Sequence, residues 1–154
     1  MTSARLRRAS AGQALDRLRA LSLALPETWE KRSHGEPTFW VHKRMFAMFA
    51  SAHNHHGDGR DAVWCKAVHM TQEMVVSRWP DRYFVPPYCG VAGWFGIYLD
   101  RRPDWREVAD RLEGSYRLVA PRRLLTALDG EATETTHRHA ARVSASRRGR
   151  SHVR

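Results

Sequence analysis

The spacing of apolar residues near the start of the chain predicts an amphipathic helix. Leu15, Leu18, Ser22 and Leu25 fall on one helical face, while charged residues occupy the other faces. Pro26 ends this pattern, because proline disrupts a helix interior. We therefore expect the leucine face to pack into a core.

From residue 37 the apolar spacing changes from helical to alternating, which predicts strands. Phe39 and Val41 alternate with Trp40 and His42, and the apolar run MFAMFA at 45–50 follows a tight connection at 42–44. These two runs predict a hairpin. The turn-forming segment at 51–61 leads to a third strand at 62–68, and the run at 94–100 predicts a fourth.

Helices are predicted between and after the later strands. Thr71 is a candidate cap for a helix that runs to about residue 78, and residues 83–93 are expected to form a loop. Asp104 and Glu107 have the spacing of a capping box at the start of a long helix that ends near residue 120. A short final helix is expected at 122–128. The apolar face of the long helix comprises Val108, Leu112, Tyr116 and Val119.

This order of elements predicts an α+β domain in which helices pack on one face of an antiparallel sheet of about four or five strands. A chain of 154 residues is long enough for one such domain, which we expect to occupy residues 11–128. Residues 1–10 and 129–154 are basic and contain few large apolar side chains. Both end segments are therefore expected to be disordered.

The net charge of +10 suggests a nucleic-acid partner, because basic side chains gain affinity for phosphate by releasing counterions. Residues 1–10 hold three arginines and no acid, and residues 129–154 hold six arginines and three acids, so each end carries +3. Residues 11–128 carry the remaining +4, from 17 basic and 13 acidic side chains. More than half of the excess charge therefore lies at the ends.

No run of about 18 apolar residues occurs, which excludes a transmembrane segment, and the apolar stretch at 21–25 is too short for a signal peptide. We expect a cytoplasmic protein with no membrane partner. The two cysteines are expected to be free thiols, with Cys65 buried in a strand and Cys89 exposed in a loop.

Motifs for catalysis and cofactor binding are absent from the sequence. It contains no G-x-S-x-G, P-loop, H-E-x-x-H or C-x-x-C pattern. Gly90, Gly93 and Gly96 lead into a strand, whereas phosphate-binding glycine loops lead into a helix. We therefore predict a protein that is not an enzyme and holds no cofactor.

Residues 53–58 form a cluster of metal-ligand residue types. Imidazole and carboxylate groups this close in sequence can share a zinc or nickel ion. The intervening residues are turn formers, so a solvated hairpin connection is the favoured interpretation, and we predict no metal site. The four residues concerned are His53, His55, His56 and Asp58.

Basic side chains near turns and helix ends are the candidates for nucleic-acid contact. Lys43 and Arg44 lie at the tip of the first predicted hairpin, a wing-like position that suits a phosphate backbone. Aromatic side chains in the later loop and strand are candidates for stacking on bases. The alternative is that these charged side chains only keep the surface solvated and that the tryptophans are part of the core. The full set of candidate contacts is Lys31, Arg32, Lys43, Arg44, Arg122 and Arg123, with Tyr88, Trp94 and Tyr98 for stacking.

A ligand pocket is the alternative interpretation of the aromatic residues. Aromatic walls with few polar groups are usual for ligand sites, and a domain that sequesters a planar, drug-like compound needs no catalytic motif. The nearly balanced charge of residues 11–128 favours this alternative. The candidate lining residues are Trp40, Trp64, Tyr88, Trp94 and Tyr98.

Four segments together resemble the MmcQ/YjbR family. They are GEPTFWVHKRMFAMF at 35–49, VWCKA at 63–67, RYFVPPYCGVAGWFGIYLD at 82–100 and SYRLVAPRRLL at 115–125. The resemblance covers residues 11–128. The residues that match the family motifs are Pro37, Thr38, Phe39, Pro87, Tyr88, Gly93, Trp94, Tyr116, Pro121, Arg122 and Arg123.

The resemblance implies a frataxin-like α+β fold with a CyaY-like, double-wing architecture, and DNA binding through wing-like hairpins. It implies no catalytic residue. Members often have a tryptophan before the glycine of the first motif, where this chain has His34. The histidine-rich loop and the arginine-rich tail lie outside the family pattern.

We therefore expect a small, non-enzymatic DNA-binding protein that contacts phosphates through the hairpin tip and the start of the final helix. A small planar ligand in an aromatic pocket is the alternative partner. The sequence specifies no oligomeric state.

Overall fold

The computed structural model describes residues 2–54 and 59–148. The chain forms two compact units, of which the first comprises the described residues up to Ala120 and the second begins at Pro121. The elements are α1 (Ser3–Leu23), β1 (Thr28–Ser33), β2 (Glu36–Val41), β3 (Arg44–Ala50), β4 (Ala62–Lys66), α2 (His69–Arg78), β5 (Tyr83–Phe84), a 3-10 turn (Gly90–Ala92), β6 (Trp94–Tyr98), α3 (Trp105–Val119) and α4 (Arg122–Arg148).

The first unit contains one antiparallel sheet. Its strand order is β1-β2-β3-β4-β6-β5, so six strands are present among the described residues. Helix α3 packs on β3 and β4, α1 packs on β1 and α3, and α2 packs on β5 and β6. The predicted α+β class, with an antiparallel sheet and helices packed against it, is confirmed.

The predicted apolar faces of α1 and α3 form the core on one side of the sheet. Leu18 and Ser22 of α1 are fully buried, and Leu15 is half-buried. The four predicted apolar residues of α3 are at most 8% exposed. Phe46 of β3 meets Tyr116 of α3 edge to face, with 5.7 Å between the ring centroids.

Strands β1 and β5 are additions to the predicted sheet. Strand β1 has the sequence TWEKRS, which shows no apolar alternation. It is an edge strand, and its side chains are exposed or half-buried. A tight turn at His34 and Gly35, with φ of 53° and 79°, pairs it with β2. Strand β5 is only two residues long, and these lie within the segment expected to be a loop.

Ser115 of α3 replaces a missing part of the ladder between β3 and β4. The pairing of β3 with β4 ends at Ala47 and Cys65, which leaves the next residues, Phe46 and Lys66, without a direct pairing to each other. Ser115 Oγ donates to the Phe46 carbonyl at 2.6 Å and accepts from the Lys66 amide at 2.8 Å. One buried hydroxyl therefore satisfies two backbone groups and fixes α3 to the sheet.

Helix α1 extends further towards the N-terminus than its apolar face predicts. It begins at Ser3, within residues 1–10, for which disorder is expected from composition. The segment contains three arginines and two alanines, which favour helix locally. The helix ends at Leu23, and Thr28 Oγ1 then donates to the Ser22 and Leu25 carbonyls at 2.9 Å.

The helix starts of α2 and α3 differ from the sequence predictions. Helix α2 begins at His69, so Thr71 lies within the helix and does not cap it, and no side chain caps this helix. Asp104 does cap α3, since its carboxylate accepts from the Arg106 amide at 2.9 Å. Glu107 does not complete a capping box; its carboxylate instead accepts from the Tyr83 hydroxyl and forms an ion pair with Arg82.

Helix α4 continues far beyond its predicted end near residue 128. It runs from Arg122 to Arg148, and every side chain from 129 to 145 is exposed. The scarcity of apolar residues, from which we expect disorder, explains why these side chains are not buried. The helix still forms, because alanine, glutamate and arginine favour it locally. Glu134 also pairs with Arg138 one turn later, at 3.1 Å. Residues 149–154 of the tail lie outside the described residues.

None of the helices described is long and apolar enough to cross a membrane.

Candidate nucleic-acid interface and aromatic face

The β2–β3 hairpin tip presents basic residues that the sequence singles out. A two-residue turn, His42 and Lys43, joins Val41 to its cross-strand partner Arg44. His42 has a φ of 51°, in the left-handed region, which reverses the chain within two residues. His42, Lys43 and Arg44 are all exposed. We call these three residues the wing tip.

Trp29 on the neighbouring strand β1 braces the wing tip. Its indole Nε1 donates to the His42 carbonyl at 3.2 Å, and its ring stacks on Trp40 with 5.6 Å between centroids. Trp29 is 42% exposed. A partly exposed aromatic ring beside basic side chains is a combination that suits nucleic acid. Sequence analysis missed Trp29, because β1 shows no apolar alternation.

Lys31 and Arg32 lie at the other end of the β1–β2 pair. Arg32 pairs with Pro37 on β2 and donates to a carbonyl in the 34–35 turn at 2.8 Å. Arg44, by contrast, pairs with Val41, which follows Pro37 by four residues on β2. This spacing corresponds to about 13 Å. The two candidate basic pairs therefore lie at opposite ends of the β1–β2 pair.

Arg122 and Arg123 begin helix α4 in the second unit. Both side chains are exposed, and the first turn contains no acidic residue. The Pro121 carbonyl accepts from the Leu124 amide at 2.9 Å as the helix starts. The N-terminus of a long helix carries a partial positive charge that attracts anions.

The face of the sheet opposite α1 and α3 is rich in aromatic side chains. Directly paired residues of antiparallel strands share a face, so the register places most of the predicted pocket residues together. Trp64 is 5% exposed and Trp94 is 7% exposed, so this surface is closely packed. Tyr88 is not part of it, being 83% exposed in the loop after β5. The aromatic face comprises Trp40, Met45, Met48, Trp64, Phe84, Trp94 and Tyr98.

Two indole N–H groups on the aromatic face lack hydrogen-bond partners. Trp40 Nε1 and Trp64 Nε1 are both buried, and no acceptor reaches either of them within the described part of the chain. A buried donor left unsatisfied costs about 1–3 kcal/mol. A ligand that brought acceptor atoms to this face would remove that cost.

The far end of the aromatic face is closed by a stack of side chains. The ring of Phe84 lies directly over Gly96 and stacks on Tyr98, with 4.6 Å between centroids. The Arg60 guanidinium lies 3.5 Å from the Tyr98 centroid and forms two hydrogen bonds with Asp100, at 2.7 and 2.9 Å. These hydrogen bonds hold the pKa of Asp100 below its usual value.

A cleft of about 150 Å³ adjoins Tyr98 and contains several arginines that sequence analysis did not single out. Two of them are already engaged, Arg60 with Asp100 and Arg82 with Glu107. Acidic and basic side chains therefore nearly balance here, which makes the cleft a poor phosphate site. Its charged lining residues are Arg60, Asp81, Arg82, Arg101, Arg102, Asp104 and Glu107.

Both cysteines are free thiols held in their neutral form. Burial raises the pKa of Cys65 to about 12 and that of Cys89 to about 11. Cys65 is buried in β4, as predicted. The predicted exposure of Cys89 is wrong, because this side chain is half-buried against the aromatic face. Neither thiol is activated as a nucleophile.

The histidine-rich segment after β3 begins at a well-anchored loop. The buried Glu36 carboxylate accepts from the Ser51 amide and hydroxyl and from the Asn54 side-chain amide, at 2.7–3.0 Å. His53 is exposed, whereas His55, His56 and Asp58 lie outside the described residues. Across residues 2–54 and 59–148, no group of three metal-ligating side chains comes together.

Comparison with known families shows to which family this chain belongs. A family model described as YjbR matches residues 23–118, which is more than half of the chain. The chain belongs to the YjbR family. This agrees with the resemblance indicated by the sequence motifs.

One solved structure similar to this YjbR-family chain is the Deinococcus radiodurans protein DR2400, which has a DUF419 domain. The two share 22% sequence identity with a TM-score of 0.56, over 68% of this chain and 77% of that one. At this identity the likeness establishes the fold alone. No curated protein matches the chain.

Several YjbR motif residues in this chain have structural roles. Thr38 is fully buried in β2, and Tyr116 donates to the Pro26 carbonyl at 2.9 Å. Gly93 has a φ of 83°, and a Cβ there would lie 2.5 Å from the Ala67 carbonyl oxygen. These residues therefore report the fold, whereas the wing tip is a surface feature of the hairpin that contains Thr38.

Proposed function

We propose that this YjbR-family protein binds DNA through contacts with the phosphate backbone, centred on the wing tip. The observation that carries the proposal is the tip itself, where Lys43 and Arg44 are exposed beside His42 at the end of a two-residue turn. Phosphate contacts of this kind position a protein on DNA without reading its sequence. The proposed activity is binding and involves no catalytic step.

The support that β1 gives to the tip strengthens the proposal. The hydrogen bond from Trp29 to the His42 carbonyl and the stacking of Trp29 on Trp40 hold the turn in place. A preorganised tip loses little conformational freedom when it meets a ligand. The exposed part of the Trp29 ring adds a surface that sugars or bases can contact.

The other predicted basic residues have separate places in the proposal. Lys31 and Arg32, about 10–13 Å from Arg44 along the strand direction, would contact a neighbouring stretch of the backbone. Arg122 and Arg123 would hold a phosphate at the start of α4. Each pair is tested by its own double substitution.

The test is fluorescence anisotropy of a labelled DNA duplex at several salt concentrations. The double change Lys43→Ala and Arg44→Ala should reduce the slope of log affinity against log salt by about 1.8, since each lost phosphate contact contributes about 0.9. The matched control removes the same charge elsewhere, by Arg78→Ala and Arg106→Ala, both of which are exposed. A tip variant indistinguishable from this control would refute the wing-tip contact.

A second candidate function is the binding of a small planar molecule on the aromatic face. It is favoured by the two buried indole donors of Trp40 and Trp64, either of which a ligand carbonyl could satisfy. Entry would require side chains on this packed face to move apart.

Acridone, a neutral planar compound with one carbonyl group, is a suitable probe for this second function. Saturable quenching of tryptophan fluorescence is expected, and Trp64→Phe should weaken it. The control Trp79→Phe changes an exposed tryptophan and should have little effect on the affinity. Absence of saturable quenching in the unchanged protein would remove this candidate.

A further inference from the structure

The C-terminal half of helix α4 has an unusual composition. Residues 135–148, which we call the basic arm, contain four arginines and no acidic residue, for a net charge of +4. The arm is helical throughout, and its described side chains are exposed. The arginines are Arg138, Arg142, Arg147 and Arg148.

The basic arm lacks the features of a helix that packs on protein or membrane. Val143 is its one large aliphatic residue, so it has no apolar stripe. A helix that lies on a lipid surface needs a broad apolar face as well as basic residues. A helix with basic residues and no apolar face finds its most favourable partner in a polyanion.

The size and composition of the arm suit the major groove of duplex DNA. An α-helix is about 10–12 Å across and the groove is about 12 Å wide. Between its arginines the arm carries mainly small residues, among them Ala140, Ala141, Ser144 and Ala145. Small side chains let the helix backbone lie deep in a groove while longer arginines reach the phosphates on either side.

We infer that the basic arm is a second DNA-binding element, which binds as a helix in the major groove of duplex DNA. The inference rests on the proposed function only in that both assign DNA as the partner. The wing tip belongs to the first unit and the arm to the second, so each can fail without the other.

The decisive substitution is Ala141→Pro in the full-length chain. It leaves every charge in place but breaks the helix, since proline removes a backbone donor and clashes with the preceding turn. If the arm binds as a helix, the affinity for a labelled duplex should fall on the order of tenfold. The control Ala141→Ser keeps the helix and should bind within about twofold of the original chain.

Two further measurements complete the test. The change Arg142→Gln should reduce the salt slope by about 0.9, and Arg142 is chosen because Arg138 already pairs with Glu134. Single-stranded DNA of the same length should show little sensitivity to Ala141→Pro, because it offers no major groove. Near-UV circular dichroism of the six tryptophans, all in the first unit, verifies that this unit remains folded in the variants, and far-UV circular dichroism measures the helix lost in Ala141→Pro.

The possible outcomes separate the alternatives. Equal duplex affinity of the Pro and Ser variants would show that the arm acts as a flexible charged tail, which overturns the inference. Equal losses for single-stranded and duplex DNA would also overturn it, as would binding to phosphatidylserine vesicles in preference to duplex. If Lys43→Ala with Arg44→Ala has no effect while Ala141→Pro does, the wing-tip proposal fails and the arm remains.

Discussion

Gly96 and Gly114 differ in the space that is available for a side chain. A Cβ at Gly96 would lie 2.1 Å from Cζ of the Phe84 ring, whereas nothing lies within 4 Å of a Cβ at Gly114, in the exposed part of α3. The first glycine is needed for packing on the aromatic face, while the second only weakens its helix. The sequence shows both glycines but not this difference, because the contact with Phe84 depends on strand β5.

We predict opposite effects of alanine at these two positions. Gly96→Ala should lower the free energy of unfolding by about 1–3 kcal/mol, because the Phe84 ring must move. Gly114→Ala should raise it by about 0.5–1 kcal/mol through better helix propensity. Urea unfolding of the two variants measures both changes, and a stable Gly96→Ala protein would contradict the packing described for β5 and β6.

Cys65 makes the free energy of unfolding depend on pH in the alkaline range. Burial raises its pKa from 9.0 to about 12, so the folded protein retains a proton that the unfolded chain loses. The stabilisation from the neutral buried thiol is complete below about pH 9 and is lost as the pH rises towards 12.

Cys65→Ala isolates this dependence. Between about pH 8 and about pH 10.5, the free energy of unfolding of the original protein should fall on the order of 1–2 kcal/mol more than that of the variant. Urea unfolding at both pH values provides the measurement. A parallel fall in the two proteins would show that Cys65 does not titrate differently in the folded state.

At the scale of elements, the sequence predicts a helix or strand well only where its own residues show a clear apolar pattern. The apolar face of α3 and the β2–β3 hairpin have clear periodicity and lie where expected. Strand β1 and the two-residue β5 are fixed by pairing with neighbours, a tertiary effect that local spacing does not show. Helix α4 continues because local propensity favours it, although burial does not.

Ser115 is the clearest test of how α3 is fixed to the sheet. Ser115→Ala would leave the Phe46 carbonyl and the Lys66 amide without their shared partner, which should cost about 1–3 kcal/mol of stability. The control Ser77→Ala removes an exposed hydroxyl from α2 and should change stability by less than about 0.5 kcal/mol. If chemical denaturation gives equal midpoints for both variants, the proposed bridge contributes nothing.

At the scale of the whole molecule, the basic residues and the aromatic residues suggest binding at different surfaces. Sequence analysis named both sets of residues, and the structure places the wing tip at the end of a hairpin and most of the aromatic set on one packed sheet face. The separation of Lys31 from Lys43 and the bracing role of Trp29 depend on strand β1, which local patterns do not predict. The residues of the candidate site could therefore be named from the sequence, but their arrangement could not.

The six tryptophans allow one measurement to test the central claim, that DNA contacts the wing tip and leaves the aromatic face untouched. Each indole N–H gives its own signal in a nitrogen-15 correlation NMR spectrum. During titration with a DNA duplex, the Trp29 indole and the backbone amides of residues 42–44 should shift, because they form the tip. The buried Trp64 indole, which has no contact with the tip, should remain in place. A shift of Trp64 with an unchanged tip would contradict the account.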